Sequence, residues 1–325
     1  MTHAPDTLTL VADIGGTNTR VALARGTALL PETIRRYANA EHRSLADVLG
    51  RFLAAEDDVD CAGACVAVAG PVADGTGRLT NLDWQIDAAT LAAASRAERV
   101  AILNDLQAQG HALGHLAAAS LRPILAGAAA LRPGAAQLVV GVGTGFNAAP
   151  VHAVPGGRLV APSECGHMSL PLRSEADLRL ARHVERAHGF AGVEDVLSGR
   201  GLERLHAWLA EEAGEPGGLA AAQIMARIDA GGDALAEATG RAFVRLLGTV
   251  LGDLALVHLP YGGLYLCGGV ARAFAAHFDR FDLAAAFRDK GRFGPFMAAF
   301  PLRLIEDDYA ALTGCAVYLD AAAAG

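Results

Sequence analysis

Several common signatures are missing from this 325-residue sequence. Its five cysteines (Cys61, Cys65, Cys165, Cys267 and Cys315) form no CxxC pair and no set with histidines that would indicate zinc. It has no long basic run, and its net charge of −8 and pI near 5.7 disfavour nucleic-acid binding. We therefore expect reduced, buried thiols and a protein with small-molecule ligands.

A signal peptide and a membrane span are also not indicated. The start, MTHAPDTLTL, has no basic region followed by an apolar segment. The most apolar long stretch, 242–259, contains Arg245 and Asp253, so we predict a buried helix there. We expect a cytoplasmic protein without membrane or nucleic-acid partners.

Length and pattern predict a folded α/β chain of two lobes. Of its residues 52% are apolar and 19% charged, which argues against disorder. LTLVADI and TRVALA predict a β-hairpin, CVAVAG and VAILND predict buried strands, and apolar periodicity predicts a helix over 44–55. A helix is expected from Leu106 to about Ala119, and a helix and turn over the alanine-rich stretch 117–130. Helices dominate after about 173.

Residues 137–151, QLVVGVGTGFNAAPV, repeat the opening pattern of the chain. In both places an apolar strand enters a glycine-rich turn and a second strand leaves it. This similarity suggests an internal duplication in which each half begins with a hairpin.

Three glycine-rich turns, at 15–18, 143–145 and 268–269, each follow an apolar strand. Glycine allows backbone N–H groups to approach a ligand closely, and such turns often bind phosphates. None matches GxxxxGK[ST] or GxGxxG, so a P-loop and a dinucleotide fold are not supported. A single turn of this kind is usually structural, but three together favour phosphate binding.

Two aspartates follow predicted strands. Asp13 lies beside the first glycine turn, where a carboxylate could hold Mg²⁺ through water or cap the N–H groups of the turn. Asp105 could act as a general base or as the N-cap of the next helix. The residues alone leave both pairs of roles open.

Further polar candidates lie in the middle of the chain. Glu164 and His167, in PSECGHMSLP, could bind neighbouring hydroxyls of one sugar ring. Zinc is disfavoured there because only one cysteine and one histidine are near. Taken singly, Glu194 and Asn81 are more typical of a cap or a turn than of a binding site.

Together these segments resemble the bacterial ATP-dependent glucokinase family, in the sugar kinase–Hsc70–actin superfamily. VADIGGTNTRVAL and VVGVGTGFN resemble its two phosphate hairpins, and YLCGGV its adenosine-side turn. TNLDW, ILND, SECGHMS and VEDVLSGRGL resemble its sugar-site segments in the same order, and RDKGRF is a further shared element. The match covers nearly the whole chain, and the ordered set is more specific than any one motif.

The resemblance implies a two-lobed actin-like ATPase (ribonuclease H-like) fold with an interdomain cleft. The small α/β domain would comprise 1–110 and 305–325, and the large α/β domain 111–304. The implied activity is ATP-dependent phosphorylation of D-glucose to glucose 6-phosphate, with ATP, Mg²⁺ and a homodimer. The alternatives are a kinase for mannose, fructose or glucosamine, a sugar sensor without turnover, and a chaperone-like ATPase.

The resemblance also assigns site residues. Asp105 would be the catalytic base, and Asp13 would lie on the magnesium side. The residues implied to bind sugar, together with Asp105, are Asn81, Asn104, Glu164, His167 and Glu194. The residues implied to bind the nucleotide, together with Asp13, are Gly15, Gly16, Thr17, Asn18, Gly143, Thr144, Gly145, Gly268 and Gly269.

The chain departs from the family pattern at some of these segments. Ser163 and Cys165 stand where the family has glycine, so sugar preference or affinity could differ. Phe146 and Asn147 follow the second turn, where we expect them to alter the fit of the nucleotide. DDYAALTG also departs from the family's tail motif. The cysteine-rich zinc motif of the related ROK group is missing.

Overall fold

The computed structural model describes residues 7–79, 82–127, 132 and 134–324. Its strands are β1 (Leu8–Ile14), β2 (Asn18–Arg25), β3 (Ala28–Leu29), β4 (Arg35–Ala38), β5 (Gly63–Val68), β6 (Val72–Ala73), β7 (Thr76–Gly77), β8 (Ile86–Asp87), β9 (Arg99–Asn104), β10 (Leu121–Leu125), β11 (Gln137–Val142), β12 (Phe146–Val154), β13 (Gly157–Val160), β14 (Leu264–Cys267) and β15 (Leu302–Ile305). Its helices are α1 (Leu45–Ala55), α2 (Ala88–Ser95), α3 (Asp105–Ala112), α4 (Glu175–His188), α5 (Gly199–Ala213), α6 (Ala221–Ala230), α7 (Ala234–His258), α8 (Gly269–Phe274), α9 (Leu283–Arg288) and α10 (Ala310–Ala324).

The chain divides into two compact units. The first unit comprises Met1–Ser120, Ala153–Pro162 and Asp307–Gly325, and the second comprises Leu121–His152 and Ser163–Glu306. The chain therefore passes from the first unit to the second more than once. The domain limits expected from the sequence stay a prediction.

The first unit is built on a sheet with the order β3-β2-β1-β5-β9, with β4 also paired to β2. β1 and β2 form an antiparallel hairpin in which Asp13 lies opposite Arg20. β1, β5 and β9 are parallel, so their carboxyl ends meet at one edge of the sheet. The predicted first hairpin and both buried strands are confirmed.

Both faces of this first sheet are covered by helices. Leu10, Ala12 and Ile14 of β1 pack with α1 and α2, whereas Val11 packs with α3 and α10 on the opposite face. This alternation buries β1 on both sides and explains its continuous apolar run.

The second unit repeats the core of this topology. Its sheet has the order β10-β15-β14-β11-β12, in which β11 and β12 form an antiparallel hairpin and β11, β14 and β15 are parallel. A hairpin followed by two parallel strands therefore occurs in both units, as the duplication inferred from the sequence requires.

The stretch 242–259 lies mostly in α7, which is the long helix that the apolar pattern predicts. Leu246, Leu247 and Leu251 of this helix are buried, and Arg245 pairs with the buried Asp177 on α4. No helix within the described ranges is long and apolar enough to cross a membrane. The prediction of a buried helix is confirmed.

The region after α3 was predicted incorrectly. The helix ends at Ala112 instead of about Ala119, because Leu113 is non-helical (ψ 132°) and Gly114 follows with φ +86°. Residues 121–125 form strand β10, which contains Pro123 and pairs with β15 at the edge of the sheet. Pairing with a distant strand overrides the local helix propensity of the alanines. Residues 128–130 lie outside the described residues.

All five cysteines are free thiols, four of them buried and Cys165 partly exposed, as the composition suggested. Burial raises the pKa of Cys61 to about 11, which keeps that thiol protonated.

Helix α10 crosses α3 by direct contact of the two backbones. A Cβ at Gly314 would overlap the carbonyl oxygen of Ala108, so this crossing requires glycine. Since α3 begins at Asp105, the crossing also positions a candidate catalytic residue.

We predict that Gly314→Ala lowers the free energy of unfolding by on the order of 3 kcal/mol or more, because the backbones must separate. The matched control is Gly50→Ala on α1 of the same unit, where a Cβ would meet nothing within 4 Å. That change should stabilise the helix by about 0.5–1 kcal/mol. Urea unfolding of both variants measures the difference, and equal stabilities would contradict the contact.

Candidate active site

The first glycine turn is held by an asparagine from outside the hairpin. Within the turn, the N–H of Gly15 donates to the carbonyl oxygen of Asn18 at 3.0 Å. The Asn39 side chain donates to the carbonyl oxygen of Gly15 at 2.8 Å and accepts from the Thr19 hydroxyl at 2.8 Å. Asn39 is 2% exposed, so the clamp is internal. Gly16 and Thr17 remain exposed at the tip, where a ligand can reach them.

Asp13 is paired with a cation within the same hairpin. Its Oδ2 lies 3.3 Å from an Arg20 guanidinium nitrogen, and its side chain is 18% exposed. Burial raises the pKa of Asp13, and the positive charge of Arg20 offsets this only in part. The negative charge of the Asp13 carboxylate is therefore only partly compensated by Arg20, which suits this group to bind a cation.

Asp105 is the first residue of α3, and the cap of this helix is Asn104. The Asn104 Oδ1 accepts the N–H of Leu106 at 3.0 Å, and the Asn104 N–H donates to Gln107 at 3.1 Å, which completes a capping box. The Asp105 Oδ1 also accepts the Leu106 N–H, at 2.9 Å. The N-cap role considered for Asp105 therefore belongs to Asn104.

The Asn104 amide group is largely engaged within the unit. Besides the cap, its Nδ2 donates to the carbonyl oxygen of Gly70 at 2.9 Å. The Asn104 side chain also hydrogen-bonds to the Asp105 carboxylate, and its amide NH2 is the donor in that contact. Asn104 therefore has a structural role at the end of β9 in addition to the sugar-binding role predicted for it.

The carboxyl group of Asp105 has a strongly raised pKa of about 7. Burial is the larger cause, and the negative charge of Asp13 is the second. The N–H of Leu106 opposes the shift by stabilising the charged form. A carboxyl that titrates near neutrality is suited to accept a proton from a hydroxyl group.

The second and third glycine turns contact each other in the second unit. The Gly143 N–H donates to the carbonyl oxygen of Gly145 at 2.9 Å, and the Gly143 carbonyl accepts from Gly199 at 2.8 Å. Gly268 has φ +97°, and a Cβ there would lie 2.5 Å from the carbonyl oxygen of Val142. Glycine is therefore required at position 268 for two reasons, its backbone conformation and its close contact with the hairpin. Thr144 and Gly269 are exposed.

Glu194 is bound to the second hairpin. Its Oε2 accepts the N–H of Phe146 at 2.9 Å, and a Cβ at Gly145 would overlap this carboxylate. The N–H of Glu194 donates to the carbonyl oxygen of Gly166 at 2.8 Å. One residue therefore contacts both the glycine turn and the SECGH segment.

The segment Ser163–His167 packs on the strand that leaves the second turn. A Cβ at Gly166 would overlap the carbonyl oxygen of Phe146, so the two backbones touch. Asn147 hydrogen-bonds to Ser163 and Cys165, and its Nδ2 lies 3.4 Å from the Glu164 Oε2. Glu164 and His167 of this segment are both exposed.

The expectation that Phe146 and Asn147 would alter nucleotide fit has to be revised. The ring of Phe146 is buried in the hydrophobic core, and the amide of Asn147 contacts the SECGH segment. Alternation along β12 places these two side chains on opposite faces, so neither points freely from the turn.

The structure places the predicted residues in two sets. The first unit holds Asp13, Gly15, Gly16, Thr17, Asn18, Asn104 and Asp105, and the second holds Gly143, Thr144, Gly145, Glu164, His167, Glu194, Gly268 and Gly269. Asn81 lies outside the described residues. The electrostatic effect of Asp13 on Asp105 connects the two predicted carboxylates of the first set.

Two contributing residues, Arg20 and Asn39, were not predicted from the sequence, and a different role was predicted for a third, Asn147. Arg20 could have been found, because a tight hairpin places it opposite Asp13. Asn39 carries no local signal, since it is 24 positions from the glycine whose carbonyl it binds. The contacts of Asn147 with Ser163 and Cys165 likewise join segments that are far apart in the chain.

The contacts of the RDKGRF element (288–293) indicate a structural role. Lys290, the only lysine in the sequence, is 7% exposed at its side chain and donates to the Thr249 carbonyl at 2.9 Å and to Asp253 at 2.6 Å. Its stem covers Gly252 of α7. This element therefore fastens the region after α9 to α7.

Candidate metal ligands are few. No cluster of three or more His, Cys, Asp or Glu residues occurs within the described part of the chain. Mg²⁺ bound with a nucleotide often takes only one or two carboxylates together with water and phosphate oxygens. Asp13 fits that requirement because its charge is only partly compensated.

Comparison with known proteins identifies close similarity to one family. The family model described as Glucokinase matches residues 10–322. Glucokinase from Saccharophagus degradans is 33% identical over 315 residues, which cover 96% of this chain and 98% of that one.

Solved structures agree with this match. Glucokinase from an Antarctic psychrotroph has a TM-score of 0.85 and 30% identity, covering 96% of this chain and 98% of that one. Glucokinase from Balamuthia mandrillaris, solved in complex with glucose, has a TM-score of 0.78 and 23% identity, covering 97% and 93%. The expected actin-like ATPase fold is confirmed.

We predict that Gly145→Ala and Gly166→Ala differ in their effects on stability. Gly145→Ala meets the end of a flexible glutamate, so Glu194 moves and stability falls by only about 1–2 kcal/mol. Gly166→Ala meets the backbone of Phe146 and should destabilise by on the order of 3 kcal/mol or more.

Urea unfolding gives the two stabilities, and amide hydrogen exchange reports on Phe146. Exchange of the Phe146 N–H should accelerate in Gly145→Ala because this group loses its carboxylate acceptor. An unchanged exchange rate at Phe146 would contradict the contact with Glu194.

Proposed function

The chain belongs to the glucokinase family, and on this premise we propose that it transfers the γ-phosphoryl group of ATP to the 6-hydroxyl of D-glucose. The observation that carries the catalytic assignment is the environment of Asp105. Its carboxyl lies at the start of α3, has a pKa of about 7 and experiences the charge of Asp13.

Asp105 is proposed as the general base. As the sugar oxygen attacks the γ-phosphorus, the bond to the ADP oxygen breaks and the hydroxyl proton passes to the Asp105 carboxylate. A base with an ordinary aspartate pKa would accept this proton less readily. The raised pKa of Asp105 supports this role because it matches the base to neutral pH.

The sugar is proposed to be held through its hydroxyl groups. Asn104, Glu164, His167 and Glu194 would bind its hydroxyl groups, together with Asn81. Holding the ring fixed makes the attack effectively intramolecular. The exposed position of Glu164 and His167 supports their assignment.

The glycine turns are proposed to bind the phosphates. Backbone N–H groups at Gly15–Asn18 and Gly143–Gly145 would face the phosphate oxygens, where negative charge develops during transfer. Gly268 and Gly269 would lie on the nucleoside side. The exposure of Gly16, Thr17 and Thr144 at the turn tips supports this assignment.

Mg²⁺ is proposed to accompany ATP, held by Asp13 through water. When bound, the cation would neutralise charge on the phosphates. Asp13 would orient this cation, and Arg20 would keep the Asp13 carboxylate ionised and in place.

The remaining parts of the proposal concern the setting of the enzyme. We infer a cytoplasmic location from the five free thiols and a homodimer from the family resemblance. ATP is the proposed donor; ADP and polyphosphate are the alternatives to be compared in the same assay.

We predict that Asp105→Asn lowers kcat for glucose by on the order of 10²-fold or more, because the base is lost while its size is kept. Glucose binding should be retained. The matched control is Asp87→Asn at the start of α2, since Asp87 caps that helix by accepting the Thr90 N–H at 2.7 Å. Asparagine caps equally well, so this control should keep the wild-type kcat.

A coupled assay measures ADP release with glucose, mannose, fructose or glucosamine as the phosphoryl acceptor. We expect the highest kcat/KM with glucose. A clearly higher kcat/KM with another hexose would identify that hexose as the substrate instead of glucose. Near wild-type turnover in Asp105→Asn would remove Asp105 as the base.

A further inference from the structure

Asn147 makes a set of contacts that the proposed reaction does not itself use. It is the second residue of β12 and follows the Gly143–Gly145 turn by two positions. Its neighbour Phe146 points into the core, and Asn147 lies on the opposite face of the strand. The contacts of the Asn147 side chain are therefore made outside the core, beside the SECGH segment.

The neighbours of Asn147 fix the orientation of its amide. Its Oδ1 accepts the N–H of Cys165 at 3.1 Å and the N–H of Ala148 at 2.8 Å, and both of these groups are donors only. Its Nδ2 faces two acceptors, the carbonyl oxygen of Ser163 and the Glu164 Oε2 at 3.4 Å. Exchanging oxygen and nitrogen would oppose like groups at every contact.

Three consecutive residues are thus bound by one side chain. The Ser163 hydroxyl oxygen lies 3.0 Å from the Asn147 Oδ1 and 2.7 Å from the Ala148 carbonyl oxygen, and its single hydrogen is shared between these two acceptors. Cys165 is held through its N–H, and Glu164 through its carboxylate. The next turn of chain carries His167, whose N–H donates to the Glu164 carbonyl at 3.1 Å. Asn147 is therefore the side chain that binds the first half of the segment, whereas Gly166 is held by the backbone of Glu194.

We propose that Asn147 is a positioning residue that holds Glu164 and the segment 163–167 in the conformation that binds glucose. This inference rests on the proposed function, since it requires Glu164 and His167 to bind the sugar. Asn147 acts through Glu164 and does not have to touch the substrate. Without this contact the exposed Glu164 side chain gains rotamer freedom, which sugar binding must then remove.

The test compares Asn147→Ala with a matched control on the partner strand. Gln137 lies on β11 of the same hairpin and donates to the Gly262 carbonyl at 3.4 Å and to the Tyr265 hydroxyl at 3.3 Å. Both variants lose side-chain hydrogen bonds of the same sheet, but only Asn147 contacts the sugar-binding segment. A purely structural role of Asn147 would make the two variants alike.

We expect Asn147→Ala to raise the KM for glucose by about tenfold or more, as for loss of hydrogen bonds that position a charged group. The KM for ATP and kcat should change less than about threefold. Asn147→Asp keeps the size and the acceptor oxygen but opposes a second carboxylate to Glu164, so the KM for glucose should rise further. Gln137→Ala should keep wild-type values.

Amide hydrogen exchange gives a readout that does not depend on the substrate. The Cys165 N–H should exchange faster in Asn147→Ala and at the wild-type rate in Gln137→Ala. Unchanged exchange at Cys165, or an Asn147→Asp variant with a wild-type KM for glucose, would overturn the inference.

Glu164→Gln separates this inference from the proposed function. A raised KM for glucose in Glu164→Gln with a wild-type KM in Asn147→Ala would refute the positioning role alone. A wild-type KM in Glu164→Gln would refute the sugar-binding role of Glu164, and with it the premise of the inference.

Discussion

The proposed chemistry depends on the burial of the Asp105 carboxyl group in the field of a second carboxyl group, that of Asp13. Parallel strands β1, β5 and β9 bring both residues to one edge of the first sheet. Burial raises the pKa of each carboxyl, and the negative charge of Asp13 raises that of Asp105 further. Above about pH 7 the raised pKa of Asp105 costs the folded state a few kcal/mol of stability, because this carboxyl group ionises more easily in the unfolded chain. Arg20 limits this cost at Asp13.

In each unit, polar side chains of the site lie beside close backbone contacts that only glycine permits. In the first unit, Gly314 lets α10 press on α3, and Asn104 caps the helix that begins with Asp105. In the second unit, Gly166 lets the SECGH segment touch β12, where Asn147 binds it. The hairpins of both units are thus accompanied by a buried or half-buried asparagine that satisfies backbone groups.

Local patterns predicted the elements that are defined by local forces. The two hairpins, the long helix α7 and the strand before Asp105 follow from apolar periodicity and turn residues, and the ordered motifs indicated the family. Strand β10 could not be predicted, because its alanine-rich surroundings favour a helix and only pairing with β15 makes it a strand. The contacts of Asn39 and Asn147 also join distant parts of the chain, and the raised pKa of Asp105 is a property of the folded environment.

The most direct measurement of the central claim is the pH dependence of kcat/KM for glucose at saturating Mg-ATP. A raised pKa means that Asp105 carries a proton below about pH 7 and cannot accept another one from the sugar. The account predicts that kcat/KM falls about tenfold per pH unit below that value, in a protein that stays folded by circular dichroism. A profile that stays level down to about pH 5, near the range of an ordinary aspartate, would contradict it.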